Sequence, residues 1–197
     1  MPNLFGKRIR LRAAEREDLP IFIQWLNDPD VTENLMIFAP MSLYEEERWF
    51  EKMMSGPIAE HVMVIDARNS NSPTRYQPIG TCSFMSINPR HQSAELGIMI
   101  GEKSYWDQGY GTETMRLLLS FGFETLNLHR IWLRVYAKNQ RGIRAYEKAG
   151  FQYEGKHREG HYQHGRYHDV HLMSVLRDEW EQSQPEKPIH SSKVKDK

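Results

Sequence analysis

The chain has 197 residues, in which 26 lysines and arginines balance 26 aspartates and glutamates. This length suffices for one domain with a full hydrophobic core, and 39% apolar against 26% charged residues excludes disorder as the overall state. A net charge of zero removes any global field for nucleic acid or an anionic membrane, so neither is expected as a partner.

In chain order, the alternation Ile9-Arg10-Leu11-Arg12 predicts a half-buried first strand. Asp18 is placed to cap a helix through Ile21, Phe22, Trp25 and Leu26, which Asn27-Asp28-Pro29 ends. Ser42-Leu43-Tyr44-Glu45 has the spacing of a capping box, ahead of an apolar stripe of Leu43, Trp49, Phe50 and Met53. His61 to Asp66 and Ile79 to Ile87 predict a strand hairpin across the turn-rich stretch Asn69 to Pro78.

Ala94 to Ile100 is apolar on both faces, as a central strand would be, and Gly97 within it predicts a bulge or the close approach of another backbone. A long helix follows from Gly109 to about Leu126, then a strand over Arg130 to Val135. Asn139 and Gly150 bracket a helix over Gln140 to Ala149. Phe151 to Gly155 and Tyr167 to Leu176 predict the last strands, with Gly160 to Arg166 turning between them. Residues 1–180 are thus expected to form one domain, and 181–197, polar and without aromatics, a disordered tail.

The single cysteine, Cys82, lies in an apolar stretch and predicts a small core residue in a reducing compartment. Met1 to Arg12 lacks the apolar block of a signal peptide, and no segment approaches bilayer-spanning length. A cytoplasmic location is expected.

The chemistry concentrates in Trp106-Asp107-Gln108-Gly109-Tyr110-Gly111-Thr112-Glu113, between an apolar strand and a long helix. Glycines there open backbone conformations closed to other residues, and the helix start presents unpaired N–H groups at its positive end, which together suit a pyrophosphate. The third glycine of a dinucleotide fingerprint is missing, as is the Gly-Lys-Ser/Thr of a nucleoside-triphosphate loop. A purely structural glycine turn is the alternative. Downstream stands Asn139-Gln140-Arg141-Gly142-Ile143-Arg144-Ala145-Tyr146-Glu147-Lys148-Ala149-Gly150-Phe151.

This pair of segments, in this order, resembles the GNAT superfamily of N-acetyltransferases, and the resemblance runs from Ile9 to about Trp180. It implies an α/β fold with a mixed, mostly antiparallel central sheet, flanked by helices and splayed in a V between the strands at Ala94 and Arg130. It implies acetyl-CoA as co-substrate, with the amides of Gln108, Gly109, Tyr110, Gly111 and Thr112 on the pyrophosphate. The strand backbone at Ile98, Met99 and Ile100 would lie along pantetheine, and Asn139 would hydrogen-bond that arm. The family commonly carries Gln or Arg where this chain has Trp106, a departure that bears on the side-chain phosphate contact and not on the amide cradle. Tyr153 to Trp180 is similar to the branch that acetylates ribosomal-protein N-termini and spermidine. A protein N-terminal amine is therefore the first acceptor expected, a small polyamine, amino acid or antibiotic amine the second, and a non-catalytic acetyl-CoA sensor a third reading. The resemblance admits a homodimer.

Two residues are candidates for proton transfer. Tyr146 would supply a phenol to the departing thiolate, or else is a core aromatic. Glu95 interrupts an apolar strand and would accept a proton from the attacking amine, or else is bonded to backbone or paired with an arginine. Histidines 157, 161, 164, 168 and 171 invite a metal, but hairpin alternation and the lack of nearby cysteine argue against one, and no metal is expected. Glu33, Glu159 and Asp169 could attract a cationic amine or be solvated surface.

Overall fold

The computed structural model describes residues 3–69 and 72–184. In chain order the strands and α-helices are β1 (Leu4–Phe5), β2 (Ile9–Ala13), α1 (Leu19–Leu26), α2 (Pro29–Thr32), α3 (Leu43–Met54), β3 (Met63–Asn69), β4 (Ser72–Asn88), β5 (Ser93–Ile100), α4 (Tyr110–Ser120), β6 (Arg130–Tyr136), α5 (Gln140–Ala149), β7 (Gln152–Gln163), β8 (Arg166–Leu176) and α6 (Arg177–Ser183). The strands form an eight-stranded sheet in the order β1-β2-β3-β4-β5-β6-β8-β7. Only the β5–β6 contact is parallel.

That contact is short: Ser93, Ala94 and Glu95 pair with Arg130, Ile131 and Trp132. Beyond them the strands part, β5 running on to Ile100 and β6 to Tyr136. The sheet is therefore mixed, mostly antiparallel and open in a V at the position expected.

Alternation along β3 divides the core between the two faces of the sheet. Met63, Ile65 and Ala67 join Met115, Leu118 and Leu119 of α4, whereas Val62 and Val64 meet Leu19, Phe22, Trp25 and Phe50 from α1 and α3. Phe22 is 2% exposed, and truncation of such a ring to alanine typically costs about 3–5 kcal/mol. Cys82 is buried in the larger cluster, in the role read for it. Ser42 forms the predicted capping box with Glu45 at the start of α3. No helix among the described residues is long and apolar enough to cross a membrane.

Several local expectations need correction. Asp18 stands at the N-cap of α1, but its carboxylate does not cap it: both oxygens accept from Arg12 at 2.7 Å, a charge-assisted pair stronger than a cap. Gly97 is not at a bulge, since β5 pairs with β4 in continuous register from Glu95 to Ile100; the irregularity lies on β4 after Met85, where Ser86 has φ 52°. A side chain at Gly97 would instead press on the methyl end of Met85. Most of the stretch to Pro78 is strand, with Tyr76 under the Arg10 guanidinium at 4.3 Å and Pro78 at a register shift, where its missing N–H costs no ladder bond.

The last hairpin is longer than expected, with β7 reaching Gln163 and β8 starting at Arg166. Of the stripe on α3, Phe50 is buried and Met53 packs on the core, while Leu43 and Trp49 are 48% and 40% exposed. α6 carries the chain past Trp180 to Ser183, and residues 185–197 of the expected tail lie outside the described residues.

Candidate active site

The V opens into a cavity of about 700 Å³. One side is built from Leu96 to Ile100 of β5, from Trp106, Asp107 and the turn Gly109 to Thr112, and from the face of α5 that carries Asn139, Arg141 and Tyr146. The other end is walled by Asn34 to Ile37, Met41, Glu46 and Trp49, with His157, Gly160 and His161 of β7.

Asp107 and Gly109 both take left-handed backbone conformations, φ 57° and 83°, and α4 starts at the next residue. Its first recorded intrahelical bond runs from Glu113 N–H to Gly109 O at 3.0 Å, so the amides of the first turn have no helical partner. A Cβ at Gly111 would meet nothing of the protein within 4 Å. The lack of a side chain there serves no internal packing; it leaves room for a group from outside the chain, as a diphosphate held by backbone amides requires. Arg8 braces the turn, donating to Gln108 O at 3.0 Å and to Glu113 Oε2 at 2.9 Å.

Trp106 is tied down by its indole N–H, which donates to Ile100 O at 2.8 Å. Its ring carries the Arg141 guanidinium at 3.6 Å. A cation therefore stands beside the turn, presented by α5 rather than by the residue at position 106. The partial burial that accompanies this stacking lowers the Arg141 pKa from its ordinary value.

Asn139 caps α5, its Oδ1 accepting from Gly142 N–H at 2.9 Å, which leaves the side-chain NH₂ as its outward group. Tyr146 packs beside Phe151, ring centroids 6.1 Å apart, and burial pushes its phenol pKa up to about 12. The phenol thus keeps its proton across the working pH range. The Thr112 hydroxyl donates to Ala145 O at 3.3 Å, and Arg116 to Lys148 O at 2.6 Å, joining α4 to α5 on both sides of Tyr146.

Glu95 is buried and lines the cavity, as its place in β5 suggested, but it is not alone there. Arg134 of β6, two residues past the Trp132 that pairs with Glu95, donates from Nε to Oε1 at 2.7 Å and from Nη2 to Oε2 at 3.3 Å. Of the readings open for this residue, the arginine pair is the one observed.

Two cavity residues, Glu46 and Tyr136, had no functional signal in the sequence, and a third, His161, stood out there only as one of the hairpin histidines weighed for a metal. Glu46, in the first turn of α3, is 3% exposed with no partner for its carboxyl among the described residues, and burial pushes its pKa up to about 7. Tyr136 ends β6, and its ring stacks on that of His161 at 4.0 Å and 10°. A Glu in a charged helix, a Tyr closing a strand and a His in a polar hairpin carry no motif; only the tertiary fold brings them to one cavity.

Of the other histidines, His157 lines the same cavity and His168 lies 6.5 Å from His161, while the rest point elsewhere. His164 bonds Glu33 at 2.9 Å, His171 lies edge-on to Tyr153, and among the described residues no group of three or more potential ligands is placed to hold a metal. Of the carboxylates read as possible amine attractors, Glu33 pairs with Lys138 and His164, and Asp169 with Lys156.

Comparison with known proteins agrees with this architecture. The acetyltransferase (GNAT) domain family matches residues 8–152. A spermidine N(1)-acetyltransferase of Vibrio cholerae is 32% identical over 178 residues, covering 89% of this chain and 96% of that protein. The crystal structure of spermidine N-acetyltransferase from Vibrio cholerae in complex with CoA and spermine superposes with a TM-score of 0.79 at 28% identity, over 89% of this chain and 99% of that one. A ribosomal N-acetyltransferase-like protein of Bacillus subtilis is 33% identical, but over 102 residues, 52% of this chain and 55% of that protein.

Proposed function

The chain belongs to the GNAT acetyltransferase family, and within that family we propose that it transfers acetyl from acetyl-CoA to a primary amine of a small cationic polyamine. The observation that carries this acceptor is the extent of the match. Relatives named for spermidine align over nearly their full length, and one solved neighbour holds CoA and spermine together. A protein N-terminal amine, the acceptor first suggested by the C-terminal hairpin, has the support of a relative aligned over only half of each chain. The small amine is therefore the stronger reading.

In this account the amides of Gln108, Gly109, Tyr110, Gly111 and Thr112 hold the diphosphate, where glycine leaves space and the helix start supplies positive potential. Arg141, seated on Trp106, supplies the side-chain charge that position 106 lacks. The backbone of Ile98, Met99 and Ile100 lies along pantetheine beyond the point where β5 parts from β6, with the Ile100 carbonyl already bonded by the Trp106 indole. The Asn139 side-chain NH₂ donates to the same arm.

The polyamine enters from the end walled by Asn34 to Ile37 and β7, where Glu46 and the Glu95–Arg134 pair offer carboxylates to its ammonium groups. Both oxygens of Glu95 already accept from Arg134, so its proposed part is electrostatic. Attack is direct: the amine nitrogen bonds the thioester carbonyl carbon, the tetrahedral species collapses, and the C–S bond breaks. Tyr146 gives its proton to the departing sulfur and is reprotonated by the new amide nitrogen through solvent.

Thiol release from acetyl-CoA, measured with spermidine, spermine, N-terminal peptides and an aminoglycoside, tests the assignment. Saturable release with polyamines and none above background with peptides is expected. Turnover of peptides but not of polyamines would replace the proposal with the N-terminal reading.

A further inference from the structure

Three buried side-chain polar atoms lack a hydrogen-bond partner among the described residues, and two of them, Tyr136 Oη and His161 Nε2, belong to residues lining the cavity. Leaving a buried polar atom unpaired typically costs about 1–3 kcal/mol, so such atoms usually have an explanation. Here the two belong to rings stacked face to face, 4.0 Å apart at the acceptor end. A ligand that bonds both would remove the cost.

The backbone explains how His161 comes to face the cavity. Between the pairs His157–Val170 and His161–His168, β7 advances four residues while β8 advances two, and Glu159 within that irregularity has φ 52°. Bulges of this kind bend a strand and re-aim the side chain that follows. Glu159 N–H and Lys156 Nζ both donate to Asp169, which holds the irregularity in place.

His161 is suited to receive a proton. Burial lowers its pKa, Lys138 and His168 push the same way, and Gln163 and Glu33 act against them, so the ring is neutral at physiological pH. Arg134 is the further charge acting on the stacked partner, Tyr136. Nε2 has no hydrogen-bond partner among the described residues, so in the tautomer protonated on Nδ1 it carries an unused lone pair.

We propose that His161 Nε2 is the proton acceptor for the incoming ammonium and that the Tyr136 hydroxyl holds the same nitrogen; this deepens the polyamine reading and rests on it. The step balances. The ammonium gives one proton to Nε2, forming imidazolium and a neutral amine; the amine attacks the thioester carbon. After collapse the second proton leaves the amide nitrogen, the CoA sulfur departs as thiol, and the imidazolium returns its proton to water.

The test is kcat/KM against pH for the wild type, His161→Gln, Tyr136→Phe and Glu95→Gln, with spermidine and with a fluorinated primary amine of low pKa. Acetyl-CoA affinity is measured for each by calorimetry. His161→Gln is expected to lower kcat/KM for spermidine about 10²-fold or more, to remove the acidic limb of the profile, and to bind acetyl-CoA as the wild type does. With the fluorinated amine, which arrives already deprotonated, the defect shrinks. Tyr136→Phe raises KM more than it lowers kcat. An intact acidic limb in His161→Gln, or its loss in Glu95→Gln instead, overturns the assignment while leaving polyamine acetylation standing. A wild type that acetylates neither amine overturns both.

Discussion

Thr112, in the first turn of α4, donates its hydroxyl to the carbonyl of Ala145, the residue before Tyr146, at 3.3 Å. This hydrogen bond, with that of Arg116 to Lys148 O, ties the turn proposed to hold the diphosphate to the helix that carries the phenol proposed to meet the sulfur. Thr112→Val keeps the shape and removes the donor. A net hydrogen bond is worth about 0.5–1.5 kcal/mol, so a fall in kcat of roughly 3- to 10-fold is expected, with little change in melting temperature. Wild-type kcat in this variant would mean that the link does not position Tyr146.

Tyr146→Phe removes the proton donor while leaving the ring on Phe151. Because burial holds the phenol at about 12, it is protonated throughout the neutral range, and no basic limb below about pH 10 belongs to it. We expect kcat to fall on the order of 10²-fold, with acetyl-CoA affinity unchanged by calorimetry. Unaltered kcat would return Tyr146 to a packing role.

The stack of Arg141 on Trp106 predicts a salt-sensitive contribution to cofactor binding. Arg141→Ala should weaken acetyl-CoA binding about 10-fold at low salt, and Trp106→Ala by a smaller factor, since it removes the seat and leaves the cation. Equal affinity in all three proteins at low ionic strength would argue that no phosphate lies near the guanidinium.

Much of this fold was legible in the sequence. The glycine turn, the Asn139 cap and the apolar β5 carry their signals within a few residues, and the structure places them around one cavity. Asp18 misled because a cap and a salt bridge use the same carboxylate, and Arg12 is brought alongside only by the β2–α1 geometry. Gly97 misled because its requirement comes from the Met85 side chain on the neighbouring strand, not from the backbone. Glu46 and Tyr136 were silent because their burial arises only when the elements pack, and His161 was read only among the hairpin histidines because its stack on Tyr136 needs the same packing. Arg134 was invisible as the partner of Glu95 because the pairing depends on the parallel register of β5 and β6, which sets Glu95 opposite Trp132, two residues before Arg134.

Glu46 gives a pH signature of stability. Its carboxyl titrates at about 7 in the folded chain against an ordinary 4.5, so folding favours the protonated form. The cost is absent below about pH 4, grows as pH rises from 4.5 to 7 and is constant above. Glu46→Gln should match the wild type near pH 4 and exceed it at pH 8 by up to about 3 kcal/mol in denaturant unfolding. A variant less stable than the wild type at pH 8 would show that the carboxylate has a partner in solution.

In the proposed complex the open space at Gly111 and the amides around it receive the diphosphate of acetyl-CoA. Gly111→Leu puts a side chain into that space and replaces glycine in a helix by a better helix former, so the free protein should melt no lower than the wild type. Calorimetric titration of both proteins with acetyl-CoA and with acetyl-pantetheine, which lacks the diphosphate, reads the site directly. At least about a tenfold loss of acetyl-CoA affinity is expected in the variant, with acetyl-pantetheine binding equally to both. Acetyl-CoA bound as tightly by Gly111→Leu as by the wild type would contradict it.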